Sequence, residues 1–122
     1  ARDARLQARE NLRAPALADL VQLDDRAFRE LFAGSPVKRL GHARFLRNVL
    51  IALGNSGRPE LGALAEARLA DPEPLIRGAA IWAVRRMLPP RRIGQLQRRF
   101  LPAETDFDVR TEWTLPVVSA IA

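Results

Sequence analysis

The sequence contains no cysteine, no tyrosine and a single histidine, His42. The missing thiols exclude disulfides, thiolate nucleophiles, zinc–thiolate sites and cysteine-held iron–sulfur clusters from these 122 residues. One imidazole is too few for a histidine metal site or a Ser-His-Asp arrangement. No apolar run is long enough to span a bilayer. The opening Ala1-Arg2-Asp3-Ala4-Arg5 is followed by no apolar signal-peptide core. These absences lead to an expectation of a cytoplasmic chain without a membrane partner, a metal or a cofactor of its own. Lysine is nearly missing too, with Lys38 alone among 20 basic residues.

What remains is an arginine-rich chain of net charge +6 with ordinary apolar content. Such a balance favours polyanionic partners, chiefly nucleic acid. The excess of Arg beside abundant Ala, Leu and Pro is also what a GC-rich coding bias produces, so part of the charge need carry no function. No nucleophile–base pair emerges, and no catalytic residue is assigned. Asp24 and Asp25 read as helix caps rather than an acid/base pair.

The length suits one domain, and the apolar spacing is helical throughout. Pro15 opens a helix through Leu23 with Leu17, Leu20 and Val21 inward. Asp24 or Asp25 caps a helix over 26–32, which Gly34-Ser35-Pro36 ends. Residues 37–41 read as a loop. The helix over 42–53 carries the stripe Leu46, Val49, Leu50 and Leu53. Pro59 starts a helix to Ala70, and Asp71-Pro72-Glu73-Pro74 serves as turn and cap. The next helix, over 75–88, is broken by Pro89-Pro90. Another runs to Phe100 or Leu101, and a last one starts near Asp106 or Phe107 and ends or kinks at Pro116. Residues 1–14 read as a linker or tail, and 15–122 as the domain. No segment reads as a strand.

Three of these helices share a layout. Arg47, Arg77 and Arg110 occupy the same place in each, 30 and 33 residues apart, with one helix between successive members. That is the period of a solenoid of helix pairs, in which each pair buries its second apolar stripe on the next. Asp71 precedes Arg77 by six residues and Glu104 precedes Arg110 by six, whereas Gly41 stands at that offset from Arg47. The expected fold is therefore an all-α, HEAT-like repeat α-solenoid. In it Asp71, Arg77, Glu104 and Arg110 form a structural ladder of ion pairs.

Two groups of cations lie outside that ladder. Arg44, Arg47 and Asn48 share one face of the 42–53 helix, opposite its leucines, and Lys38 and Arg39 lead into it. Guanidinium forks and an ammonium so placed neutralise phosphates and release counterions. The five read as a nucleic-acid-binding cluster, against the plainer reading of a solvated polar face. Arg85, Arg86, Arg91, Arg92, Arg98 and Arg99 surround the Pro89-Pro90 turn as a second basic patch, against the plainer reading of a wet rim. Trp82 and Trp113 read as packing residues before base-stacking ones.

The stretch from Phe32 through Gly34-Ser35-Pro36-Val37-Lys38-Arg39, Gly41, Arg44-Phe45-Leu46-Arg47-Asn48-Val49 and Ile51-Ala52-Leu53-Gly54-Asn55-Ser56 resembles the C-terminal HEAT-like region of epoxyqueuosine reductase. Asp71-Pro72, Pro74-Leu75-Ile76-Arg77-Gly78 continues the likeness, which covers about residues 15–115. The resemblance implies a fragment of a longer oxidoreductase that reduces the epoxide of epoxyqueuosine at the wobble position of certain tRNAs. It implies cobalamin and two [4Fe–4S] clusters in domains upstream. Lys38, Arg39, Arg44, Arg47 and Asn48 are then expected to face the tRNA anticodon stem-loop. The fragment is expected to act as a monomer beside the upstream domains of the same chain, with no chemistry of its own. The rival expectation is a HEAT-repeat scaffold for protein–protein interaction.

Overall fold

The structure, a computed structural model, describes residues 14–117; the expected tail lies, but for Ala14, outside the described residues. Among the described residues the chain is all-α, with seven α-helices, three short 3-10 helices and no strand. The helices are α1 (Ala14–Leu20), α2 (Asp25–Leu31), α3 (His42–Gly54), α4 (Gly62–Glu66), α5 (Pro74–Met87), α6 (Pro90–Phe100) and α7 (Phe107–Thr114).

Starts and stops follow local chemistry. The Asp24 carboxylate accepts from the Ala27 amide and starts α2. Glu73 accepts from Leu75 to start α5, and Asp106 accepts from Val109 to start α7. Each cap satisfies a donor that the first turn leaves unpaired. α7 stops at Thr114, two residues before Pro116.

The helix α5 is the centre of the fold. It packs on α3 along one side and on α7 along another, while α4 also rests against it and α1 covers α3. Leu46, Val49, Leu50 and Leu53 of α3 are fully buried, as are Ala80, Ala83 and Val84 of α5. Burying such a leucine side chain stabilises the fold by about 2 kcal/mol. Small residues bring the two helices close. A methyl group on Gly54 would sit 2.5 Å from Trp82 Cζ3 and 3.3 Å from the Ala83 Cα. The same core joins α2 to α3, where the rings of Phe28, Phe32 and Phe45 meet at 5.0 to 5.3 Å.

Three expectations differ in extent from what is found. The first helix ends at Leu20, not Leu23. The carbonyls of Val21 and Leu23 instead accept from the Arg68 guanidinium at 2.8 and 3.0 Å, and the Leu23 carbonyl also meets His42 Nε2 at 2.6 Å. The segment read as a loop before α3 is a 3-10 helix, Pro36–Leu40, capped by Ser35. The helix from Pro59 to Ala70 is a 3-10 turn over Pro59–Leu61 followed by the short α4. It runs out in tight bonds from Arg68 to Ala65, Leu69 to Glu66 and Asp71 to Arg68.

Candidate nucleic-acid interface

The helix α3 presents Arg44, Arg47 and Asn48 outward, all exposed, because the leucine stripe fixes its opposite face in the core. Lys38 and Arg39, also exposed, project from the 3-10 helix before it. Among the described residues none of these four cations has a carboxylate within salt-bridge distance. They do not converge on one point. Lys38 and Arg39 line a shallow hollow with Ser35 and Pro36. Arg44 lies in a cleft at the start of α3. Arg47 lines a groove farther along the helix.

The start of α3 differs from those of α2, α5 and α7. Its cap is Gly41, at φ 85, with no side chain to accept from the first-turn amides. The positive end of the helix dipole there adds to Arg44. Carboxylates line the same cleft, but they are committed: Asp24 and Glu73 to caps, Asp25 to Arg29, and Asp71 to Arg68 at 3.1 Å. The side chain of His42 faces the Leu23 carbonyl and the Phe28 ring, 5.9 Å between centroids.

The other arginines are placed very differently. Arg77 makes a two-pronged pair with Glu104, Nε to Oε1 at 2.8 Å and Nη2 to Oε2 at 2.9 Å. Its Nη1 donates to the carbonyls of Asp71 and Pro72 at 3.1 and 3.0 Å. Arg110 Nη1 donates to the carbonyls of Leu101 and Glu104 at 2.9 and 2.8 Å. The Arg77 guanidinium holds the Glu104 carboxyl below its ordinary value. The Asp71 carboxylate goes to Arg68, so it is the Asp71 backbone that meets Arg77.

Of the six arginines around the Pro89-Pro90 turn, three are engaged. Arg85 donates to the Glu112 carbonyl at 2.7 Å. Arg86 lies over the Trp82 ring, 3.6 Å from its centre, and burial lowers its pKa. Arg92 grips Glu66 at 2.8 and 3.0 Å. Arg91, Arg98 and Arg99 remain exposed, with Arg99 5.0 Å from the Phe100 ring centre. They form a smaller basic surface than six charges would give. Trp113 is buried, and the half-buried Trp82 is held between Gly54 and Arg86.

Sequence reasoning missed the groove that Arg47 enters. It holds about 400 Å³ and runs across α3, α5 and α7, with Asp106, Asp108 and Glu112 on the side away from α3. The four-residue spacing of Asp108 and Glu112 on α7 was the available signal. Among the described residues no group of three or more His, Asp or Glu is placed to hold a metal ion.

Comparison with known proteins bears on this surface. An epoxyqueuosine reductase of Alicycliphilus denitrificans is 39% identical over 85 residues, covering 63% of this chain and 24% of the relative. One from Xanthomonas campestris is 37% identical over 79 residues, 64% of this chain and 22% of the relative. One from Pseudomonas aeruginosa is 40% identical over 82 residues, 66% of this chain and 22% of the relative. The chain is homologous to part of the epoxyqueuosine reductases. It spans less than a quarter of the length of the epoxyqueuosine reductases it matches. No protein-family profile matches the chain, and no solved structure does. The homology links these residues to part of a reductase family.

Proposed function

We propose that residues 15–122 form a HEAT-like repeat domain that holds the anticodon arm of a tRNA for a cytoplasmic epoxyqueuosine reductase and does no chemistry itself. The observation that carries this reading is the exposed edge of Lys38, Arg39, Arg44 and Arg47. It is unpaired among the described residues and lies beside the uncapped start of α3. Phosphate contacts of this kind position a nucleic acid without reading its bases, and Asn48 on the same face supplies a donor and an acceptor for a sugar or base. The packing of α3 on α5 and α5 on α7 supports the repeat reading, since these helices carry the three equivalent arginines.

The cobalamin and two [4Fe–4S] clusters belong, in this reading, to upstream domains of the longer protein. The residues here do not fit them: there is no thiolate for a cluster, and no step is assigned to either group. Residues 1–14 then serve as the connection to those domains, and the assembly acts as a monomer.

The test is the double substitution Lys38→Glu, Arg39→Glu in the full-length enzyme. Turnover of tRNA is expected to be abolished, and tRNA affinity to fall steeply and with a shallower salt dependence than the parent. The fold, followed by circular dichroism, is expected to be unchanged because both side chains are exposed. Unchanged tRNA affinity would sink the reading.

A further inference from the structure

The groove across α3, α5 and α7 is acidic in a basic protein. Three carboxylates and one guanidinium line it, in a chain whose net charge is +6. Asp106 is spent on the α7 cap. Asp108 and Glu112 lie one turn apart on one face of α7, and among the described residues neither is in a salt bridge. The floor is apolar, and Leu75 within it is 38% exposed despite sitting on the central helix. Gly78 keeps the floor low, since a methyl group there would meet only Val109 Cγ2, at 4.0 Å.

We propose that this groove docks a cationic, leucine-bearing segment of polypeptide. A phosphodiester backbone is repelled by the Asp108 and Glu112 rim, so the groove is unsuited to extend the basic edge beyond Arg47. A helix or strand that alternates Arg or Lys with Leu is complementary in both respects. Its cations meet Asp108 and Glu112 while its leucines cover Leu75, Ala79 and the exposed part of Trp82. Rim charges of this kind select the partner and its direction more than they add affinity. The fold thus has a basic edge at Lys38, Arg39 and Arg44 and a groove, bordered by Arg47, whose α7 side is acidic, and this groove is assigned to protein.

The two tryptophans give the test its readout. Trp82 lines the groove and Trp113 is buried, so their indole N–H signals in a nitrogen-15 spectrum separate docking from general disturbance. The probe is a blocked synthetic peptide of three Leu-Arg-Ala repeats. The controls are the matching Leu-Glu-Ala peptide and a single-stranded RNA oligonucleotide. The arginine peptide is expected to shift the Trp82 signal and leave Trp113 in place, and the glutamate peptide to do neither. In the Asp108→Asn, Glu112→Gln variant its affinity is expected to drop about tenfold. That variant keeps the Glu112 carbonyl on which Arg85 depends. Equal binding of both peptides, undiminished affinity in the variant, or a shift of Trp82 caused by the RNA that persists in Arg47→Ala overturns the assignment. None of these results bears on Lys38 and Arg39, whose role is tested separately.

Discussion

Arg47 of α3 and Arg77 of α5 lie 30 residues apart on helices packed against each other, yet one is exposed and the other is locked. Arg77 finds Glu104 and two backbone carbonyls around it; Arg47 has none of these. The cause is legible one turn before each helix. Asp71 and Glu104 stand six residues ahead of Arg77 and Arg110, and their turns offer carbonyls to those arginines. The residue at that offset from Arg47 is Gly41, whose carbonyl accepts from the Phe45 amide, while the carboxylate of the following turn, Asp71, is held by Arg68. Arg77 and Arg110 are thus tied to the turns before their helices, whereas Arg47 is left exposed.

The largest effect expected from this contrast comes from Glu104→Ala. The Glu104 side chain is only 9% exposed and Arg77 is 19% exposed. Removing the carboxylate strands the guanidinium and also frees the amides of Thr105 and Asp106, which donate to Oε2. The loss is expected to be about 3 kcal/mol, read by urea unfolding. Should Glu104→Ala unfold no more readily than Arg47→Ala, the contrast is void.

Acid reaches the same pair by titration. The Glu104 carboxyl is held below its ordinary value of about 4.5, chiefly by the hydrogen bonds from Arg77. Glu66 is lowered in the same direction by Arg92. A lowered carboxylate pKa means that the unfolded chain binds protons first. The stabilisation is therefore complete above about pH 4.5 and fades as pH falls through the lower folded-state values. Thermal unfolding between pH 6 and pH 3 is expected to show this loss. In Glu104→Gln the decline is expected to be shallower, because one of the lowered carboxyls, which also include Asp25 and Glu66, is gone.

A smaller loss is expected where α3 meets α5. Gly54→Ala places a methyl group 2.5 Å from Trp82 Cζ3, and the Ala83 backbone at 3.3 Å cannot yield easily. The cost is expected to be about 1–2 kcal/mol. Trp82 indole fluorescence should report the displaced ring, whereas Gly78→Ala on the groove side should leave it alone.

Much of this was legible in the sequence because the helix stripes, caps and prolines agree with one another. Leu46, Val49, Leu50 and Leu53 mark their helix by spacing alone, and all four are buried. The ends of α1 and α4 were not legible. After α1 the carbonyls of Val21 and Leu23 are taken by Arg68, across some 45 residues of chain. Nothing local announces such a reach. The basic face of α3 was visible as a spacing, but its spread over three hollows depends on which helices flank it. The separate fates of Arg86, over Trp82, and Arg91, in water, likewise follow from packing. Opposite charges across the groove lie 65 residues apart in sequence, in Arg47 and Glu112, so no window contains both.

The smallest stability effect belongs to Arg47→Ala. The side chain is exposed, has no carboxylate partner among the described residues, and lies on a helix whose opposite face holds it in place. Alanine also has the higher helix propensity. Urea unfolding is therefore expected to change by no more than about 0.5 kcal/mol. Under the proposed function the same change would remove a phosphate contact, so the slope of tRNA affinity against salt is expected to lose about one unit while the fold is untouched. A stability loss as large as that of Glu104→Ala would place Arg47 with the locked arginines, and the free edge of α3 would lose the residue that distinguishes it.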